Sequence, residues 1–159
     1  MAKHETKEEF EEKVLHVNRC SKVVTGGRKF SFSALVIVGN GKGEIGFGFA
    51  KANELTDAIK KAGDSARKNV FKITMEGTTI PHEISLSWDG AHVMLKPAKE
   101  GTGVIAGAQT RAILELAGVH DVVAKCLGGK NPFNNLRATL GALKKLKSKE
   151  QIQKMRGKA

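Results

Sequence analysis

The sequence is poor in the residue types that build disulfide frameworks, zinc sites and surfaces for base stacking. Its 159 residues include two cysteines, three prolines, one tryptophan and no tyrosine. Cys20 and Cys126 lie far apart and form no CxxC motif, which argues against a disulfide framework or a zinc site and favours a reducing cytosol. The five histidines are scattered, and there is no HExxH motif. The sequence therefore predicts no metal and no other cofactor.

Long hydrophobic runs are also lacking. The longest uninterrupted apolar run, residues 34–38, is far shorter than the roughly 20 residues that a membrane-spanning helix needs. Residues 1–12 are polar and acidic, without the apolar segment and small-residue cleavage site of a signal peptide. We therefore expect a cytoplasmic chain with no membrane partner.

Positive charge is what the chain has in excess. It contains 27 lysine and arginine residues against 16 aspartate and glutamate residues, a formal net charge of +11. The charge is +7 over residues 14–73, zero over 74–143 and +6 over 144–159. Such an excess favours polyanionic partners, nucleic acid before an acidic membrane surface. The uneven distribution predicts two domains with different surfaces, followed by a basic tail.

The first half has the periodicity of an α-β-β-β-α unit, the layout of a double-stranded-RNA-binding module. We predict a short charged helix over residues 7–13, strands over 14–25, 29–38 and 44–50, and an amphipathic helix over 52–70. The first strand is expected to be irregular around residues 18–22, and Gly26 and Gly27 predict a hairpin turn. In the third strand, Gly46 and Gly48 would let RNA or a neighbouring helix approach the sheet closely.

The second half predicts a β-β-α-β-α order. The predicted elements are strands over residues 84–88, 91–96 and 119–126, a helix ending at Gly118, and a helix capped by Asn131-Pro132. Trp88 is expected to face the core, and the tail beyond Leu146 is expected to be loosely ordered. The predicted domains are residues 8–73 and 84–147, with a linker over 74–83 and a basic tail over 148–159.

Two glycine-rich motifs invite a nucleotide-binding interpretation. Residues 41–46 match GxGxxG, but an alternating strand follows the motif instead of the helix that a dinucleotide site needs, so a hairpin is favoured. Residues 100–107 lead into a helix and could bind a phosphate or a protein, or could simply begin the helix. We find no carboxylate arrangement for magnesium and no general base near them, which argues against a kinase.

A cluster of cations surrounds the first predicted hairpin. Arg19, Lys22, Arg28 and Lys29 lie within eleven residues of one another, next to the Gly26-Gly27 turn. We expect them to contact the phosphate backbone of an RNA, with an affinity that falls steeply with salt. Because aromatic residues are few, base stacking is not expected.

An ordered set of short segments resembles the bacterial-type family of small ribosomal subunit protein five, over roughly residues 8–145. The segments are Val17-Asn18-Arg19, Ser21-Lys22, Gly26-Gly27-Arg28, Phe30-Ser31-Phe32, Val38-Gly39-Asn40-Gly41, Gly46-Phe47-Gly48, Lys96-Pro97-Ala98, Glu100-Gly101-Thr102-Gly103, Ala117-Gly118-Val119 and Asn131-Pro132. The resemblance implies a two-domain α+β protein. Its first domain would have the double-stranded-RNA-binding fold, and its second would be similar to a domain of small-molecule kinases, without kinase activity.

The resemblance also implies a non-enzymatic constituent of the small ribosomal subunit that binds rRNA and helps to form the channel through which mRNA enters. Its protein partners would be small-subunit proteins four and eight. Contact with protein four, at positions corresponding to Gly103 and Arg111, would influence decoding accuracy. The family's spectinomycin-resistance loop would correspond to residues 20–27, where Cys20 is not typical. No small-molecule substrate is expected.

The predicted rRNA-binding residues combine the hairpin cluster with neighbouring positions. They are Arg19, Ser21, Lys22, Gly26, Gly27, Arg28, Lys29, Lys51, Lys60 and Lys61. Two alternatives remain open at this point. A free-standing double-stranded-RNA-binding regulator would account for the first half, and a small-molecule kinase would account for the glycine-rich loop of the second.

Overall fold

The chain folds into two consecutive units, each a four-stranded sheet with helices packed on it. The structure is a computed structural model that describes residues 10–157. The first unit contains β1 (Glu11–Val24), β2 (Gly27–Gly39), β3 (Glu44–Ala52), α1 (Leu55–Lys68) and β4 (Phe71–Lys72). The second contains β5 (Ile84–Trp88), β6 (Ala91–Pro97), β7 (Val104–Ile105), α2 (Ala108–Ala117), β8 (Val122–Gly128), α3 (Pro132–Lys144) and α4 (Lys149–Met155). The predicted two-domain α+β class is confirmed.

Strand β2 is the centre of the first unit. The sheet is antiparallel in the order β1-β2-β3-β4. Residues 34–38 of β2 are buried on both faces, because successive side chains of a strand point to opposite sides. Ala34 and Val36 pack against α1, whereas Leu35 and Ile37 belong to the core shared with the second unit. The apolar run of the sequence is therefore a strand covered on both faces.

Helix α1 lies so close to the sheet that two glycines of β3 are required. A Cβ atom added to Gly48 would lie 2.0 Å from the carbonyl oxygen of Ala62, and one added to Gly46 would lie 2.3 Å from that of Ala66. Two roles are predicted for these glycines, a close approach of RNA or of a helix. In the structure, it is helix α1 that lies close to them.

The predicted helix over residues 7–13 is wrong for the residues of it that the structure describes. Residues 7–9 lie outside the described part, and Glu11–Lys13 begin β1. Glu12 accepts an ion pair from Arg67 of α1 at 2.9 Å, whereas Lys13 pairs with Glu115 of α2 at 3.2 Å. Successive charged side chains of the strand thus pair with two different helices, α1 on one face and α2 on the other. A search for alternating apolar residues does not detect this pattern. The irregularity of β1 is a register shift between Val14 and His16, earlier than predicted.

The second sheet has the order β5-β6-β8-β7, with β7 parallel to β8 and the other pairs antiparallel. The sequence does not predict strand β7, because its two residues fall within the glycine-rich loop that leads into the following helix. The helix begins only after Gly107, and β8 begins three residues later than predicted, at Val122. The observed order is β-β-β-α-β-α-α instead of the predicted β-β-α-β-α. A strand of two residues is too short to show the alternation by which a strand is recognised in a sequence.

The predicted helix ends in this unit are confirmed, whereas the predicted loose tail is wrong. The side chain of Asn131 accepts a hydrogen bond from the Phe133 N–H at 3.1 Å, and Gly118 ends α2 with a φ of 84°. Beyond α3, the tail forms α4. Ser148 and Gln151 cap its start reciprocally, each side chain bonding the other's backbone N–H.

Trp88 is not in the core. It lies on the helix-facing side of β5, as its alternation with Ile84 and Leu86 predicts, but its side chain is 44% exposed. The residue ends the strand, and Arg137 of α3 lies over its ring, with the guanidinium carbon 5.4 Å from the ring centroid. The alternation of β5 thus predicts correctly which face Trp88 occupies. The side chain is nevertheless exposed, because the end of the strand extends beyond the hydrophobic core.

The two units are joined by backbone contacts between the β2–β3 turn and the end of α2. The N–H groups of Gly41 and Gly43 donate to the carbonyl oxygens of Leu116 and Ala117 at 3.0 and 2.9 Å. A Cβ atom added to Gly118 would lie 2.1 Å from the carbonyl oxygen of Gly41. One hydrophobic core spans both units. None of the helices over residues 10–157 is long and apolar enough to span a membrane.

Candidate nucleic-acid interface

The hairpin of β1 and β2 projects beyond the rest of its sheet. Strand β3 pairs with β2 only from Phe32 to Gly39, so the pairs from Cys20–Ser31 to Val24–Gly27 have no third strand beside them. These residues form a two-stranded ribbon, about 15 Å long at 3.3 Å per residue. Gly26 and Gly27 form its tip with φ values of 96° and 145°, in the region that favours glycine.

One face of the ribbon lies on the same side of the sheet as α1. Paired residues share a face, so the register places Arg19, Ser21 and Arg28 together on this side. Val23 and Phe30 lie between them and are exposed. The Arg19 guanidinium stacks over the Phe30 ring, 3.8 Å from its centroid. This face therefore presents two guanidinium groups around a small apolar surface.

The opposite face of the ribbon is also cationic. Lys22 is the direct cross-strand partner of Lys29, and Lys51 lies on the same face of the sheet, on β3. Like charges that face each other across a strand pair are destabilising. Within residues 10–157, no carboxylate forms an ion pair with any of these lysines or with Arg19 and Arg28. A phosphate backbone would supply the missing negative charge on both faces.

Lys60 and Lys61 occupy a different position. Both are exposed on α1, whose opposite side packs against the sheet through Ala58 and Ala62. The structure therefore brings eight of the ten predicted rRNA-binding residues to the ribbon and the adjoining sheet face, and it leaves these two on the outer surface of the helix.

The glycine-rich loop of the second unit already holds an anion, which comes from the chain itself. The Gly103 N–H donates to Oδ1 of Asp121 at 3.0 Å. Hydrogen bonds from the Gly103 N–H, from the Thr78 side chain and from the N–H groups of Gly101 and Thr102 hold the pKa of Asp121 below its usual range, against the effect of its burial. Since these donors are engaged, the phosphate-binding interpretation of the loop is disfavoured.

Asp121 was not singled out from the sequence. It lies 18 positions after Gly103, just before β8, and no local pattern links it to the loop. The connection exists only because β7 and β8 are parallel neighbours, which places the start of β8 beside the loop that precedes β7.

The two predicted protein-interface residues lie apart, Gly103 just before β7 and Arg111 in the first turn of α2. Arg111 is exposed in the first turn of α2 and lines a groove of about 470 Å³ between α2 and β1. The Lys13–Glu115 ion pair borders this groove. Gly103 lies before β7 with a φ of 76°, and open space surrounds the position of a Cβ atom there. The structure does not bring Gly103 into the groove that Arg111 lines.

Comparison with known proteins identifies the family. Residues 10–74 match the family model described as ribosomal protein S5, N-terminal domain, and residues 87–156 match the one described as ribosomal protein S5, C-terminal domain. The chain belongs to the ribosomal protein S5 family. Members of this family are structural proteins of the small ribosomal subunit and not enzymes, so the kinase alternative is excluded.

Several relatives, each named small ribosomal subunit protein uS5, are similar over nearly their whole length. The protein of Protochlamydia amoebophila is 64% identical over 146 residues, which cover 92% of this chain and 87% of the relative. That of Chlamydia trachomatis serovar D is 61% identical over 150 residues, 94% and 91% of the two chains. That of Chlamydia felis is 57% identical over 158 residues, 98% and 96%. The S5 similarity thus extends over both units and the ribbon.

Proposed function

We propose that this chain, as a structural constituent of the small ribosomal subunit, binds small-subunit rRNA through the β1–β2 ribbon. One observation carries the proposal. Lys22, Arg28 and Lys29 project from a ribbon that extends beyond its sheet, and Arg19 lies at the base of that ribbon. No acidic side chain of the described residues forms an ion pair with any of the four. A two-stranded ribbon with unneutralised cations on both faces suits the phosphates that flank an RNA groove.

The mechanism is electrostatic and depends on backbone contacts. Each phosphate that the ribbon neutralises releases counterions, and this release makes the affinity depend on salt. For each such phosphate, the logarithm of the binding constant falls by roughly 0.7 to 0.9 per tenfold rise in salt concentration. Gly26 and Gly27 carry no side chains, so the tip can approach the RNA closely. Ser21 adds a hydroxyl donor on one face and Lys51 a cation on the other, while Lys60 and Lys61 would contact a more distant part of the same RNA.

The second unit would contact neighbouring proteins. Its sequence from residue 74 to 143 carries no net charge, in contrast to the first unit, which favours protein rather than RNA partners. Arg111 beside its groove and Gly103 in its open loop would contact small-subunit protein four and thereby influence decoding accuracy. Contact with protein eight and a position beside the path of the incoming mRNA are proposed from the family resemblance alone.

A triple variant tests the rRNA contact. Replacing Arg19, Lys22 and Arg28 by alanine should weaken the binding of purified small-subunit rRNA and should reduce the salt slope by about 2 to 3. The matched control replaces three exposed lysines outside the ribbon, Lys42, Lys99 and Lys125. Filter binding over a range of salt concentrations measures both quantities. Unchanged affinity and slope in the ribbon variant would refute the proposal.

The family assignment favours a ribosomal protein over a free-standing double-stranded-RNA-binding regulator, the second alternative. Sedimentation of a cell lysate through a sucrose gradient separates the two. We expect the protein to move with the small subunit and to leave that fraction when the ribbon cations are replaced. Sedimentation with RNA outside ribosomal particles would favour the regulator.

A further inference from the structure

A cluster of three aromatic side chains and one arginine lies where the two units meet. Phe49 of β3 packs edge-on against Phe133 of α3, with ring centroids 5.4 Å apart and planes at 61°. The Arg137 guanidinium carbon lies 4.7 Å from the Phe133 centroid and 5.4 Å from that of Trp88. We call these four residues the aromatic–arginine cluster. The side chains of Phe49 and Trp88 remain 43% and 44% exposed, so the cluster forms part of the surface.

Arg137 has no polar partner among residues 10–157. Its guanidinium makes no hydrogen bond or ion pair there, and its Nε atom is buried without an acceptor. The carboxylate beside Trp88 in the sequence, that of Asp89, accepts a hydrogen bond from the Asn134 amide at 3.1 Å. The two terminal amino groups of Arg137 are not among the buried unsatisfied atoms and have no hydrogen-bond or ion-pair partner in the described part of the chain, so they are free to bind a partner outside it.

The cluster continues the cationic face of the first sheet. The Lys51 ammonium lies 5.9 Å from the Phe49 centroid and shares its face with Lys22 and Lys29 of the ribbon. A path of positive charge therefore leads from the ribbon, along β3, to the aromatic rings. Phosphates of one strand could follow these lysines while a base reaches the rings.

We propose that the aromatic–arginine cluster stacks an unpaired nucleotide of RNA. Aromatic rings and guanidinium planes are the surfaces on which proteins stack unpaired bases, and the unpaired amino groups of Arg137 suit the acceptors of a base edge or a phosphate. An apolar protein segment would cover the rings but would leave the guanidinium and Lys51 without a counter-charge. This inference rests on the proposed rRNA binding and adds a second kind of contact, because the ribbon binds backbone only.

The chain contains its own probe for this site. Trp88 is the single tryptophan and there is no tyrosine, so the fluorescence of the full chain excited at its red edge reports Trp88 alone. We expect single-stranded oligoadenylate to quench this emission and double-stranded RNA of the same length to leave it unchanged. Arg137→Lys and Phe133→Leu should each weaken oligoadenylate binding about fivefold or more.

Further variants separate stacking from charge and from folding. Trp88→Phe keeps an aromatic ring and should weaken oligoadenylate binding less than Trp88→Leu, which removes the ring. Filter binding measures both variants, since neither contains the fluorescent tryptophan. Lys125→Gln removes an exposed cation from β8, outside the cluster, and should change that affinity by less than about twofold. Circular dichroism of each variant confirms that it is folded before its binding is compared.

The outcomes distinguish this inference from the proposed function. If small-subunit rRNA binds through the ribbon but neither rRNA nor oligoadenylate changes Trp88 fluorescence, the inference is wrong and the proposed function stands. Equal quenching by the duplex, or quenching by purified small-subunit proteins and not by RNA, would also overturn it. If the ribbon variant and the native chain bind rRNA equally, the proposed function fails, whatever Trp88 reports.

Discussion

Lys22 lies directly opposite Lys29 on the ribbon face that points away from α1. Because facing like charges destabilise a strand pair, Lys22→Glu should replace repulsion by attraction and raise the free energy of unfolding by about 0.2 to 1 kcal/mol. The same change should weaken rRNA binding, since it places a negative charge where a phosphate is expected. Urea denaturation measures the first effect and filter binding the second.

Lys22→Gln is the matched control, because it removes the repulsion without creating a new ion pair. Its stability should lie between those of the native chain and Lys22→Glu, and its rRNA affinity should fall less. If Lys22→Glu is more stable and binds rRNA as tightly as the native chain, Lys22 does not contact an rRNA phosphate.

The contact between Gly48 and α1 sets a second prediction. A methyl group at Gly48 would lie 2.0 Å from the Ala62 carbonyl oxygen, which is backbone and has no rotamer to change. Gly48→Ala should therefore force the helix from the sheet and cost about 1 to 3 kcal/mol or more of unfolding free energy. The urea midpoint measures the loss.

Gly107→Ala provides a comparison for this prediction. The added methyl group would meet only the Cys126 sulfur at 3.7 Å, an ordinary contact, and the backbone there is extended. We expect a loss of no more than about 1 kcal/mol, from the weaker helix start alone. Equal losses at the two positions would show that α1 tolerates displacement.

The features that the sequence predicted correctly depend on neighbouring residues. The Gly26-Gly27 turn, the alternation of glycine and phenylalanine in β3, the Asn131 cap and the end of α2 at Gly118 are each encoded within a few positions. The grouping of the ribbon cations around one hairpin belongs to the same class, since that hairpin is local, whereas their contact with rRNA stays a prediction. They could therefore be named before the fold was known.

The features that were missed depend on distant partners. Residues 11–13 form a strand because they pair with residues 37–39 of β2, and ion pairs to α1 and α2 fit their charged side chains to the two faces. Likewise, β7 is a strand because β8 lies beside it. The aromatic–arginine cluster combines β3, β5 and α3, so no stretch of sequence displays it. The start of α4 is an exception, because the spacing of Ser148 and Gln151 is a local capping signal that could have been recognised.

Asp121 links the stability of the second unit to pH. Its folded-state pKa lies below the ordinary value of 3.8, chiefly because the Gly103 N–H donates to the carboxylate. A lowered pKa contributes stability that is complete above the unfolded-state value and is lost as the pH falls through the folded-state value. Asp121→Asn should therefore destabilise the chain at neutral pH, and its difference from the native chain should shrink below about pH 4.

Urea midpoints of both proteins between neutral and acidic pH measure this difference. Glu100→Gln is a suitable control, because Glu100 is an exposed carboxylate of the same loop. Its midpoint should follow that of the native chain over the whole range. A constant difference between Asp121→Asn and the native chain at every pH would mean that the Asp121 charge plays no part in holding the loop.

Arg111 offers a test of the proposed contact with protein four. Its side chain is exposed beside the groove between α2 and β1, so Arg111→Glu should change the free energy of unfolding by no more than about 0.5 kcal/mol. An altered rate of misreading in cells would then report a lost contact rather than a damaged fold. A reporter that requires a misread codon measures the rate, and a sucrose gradient verifies that the variant enters small subunits.

Lys125→Glu makes the same charge change at an exposed position of β8, outside this groove, and should leave the rate of misreading unchanged. The comparison is strict because both variants alter the net charge of the chain equally, so any general weakening of rRNA binding affects both. Misreading at the native rate in Arg111→Glu, with normal incorporation into subunits, would remove Arg111 from the interface with protein four.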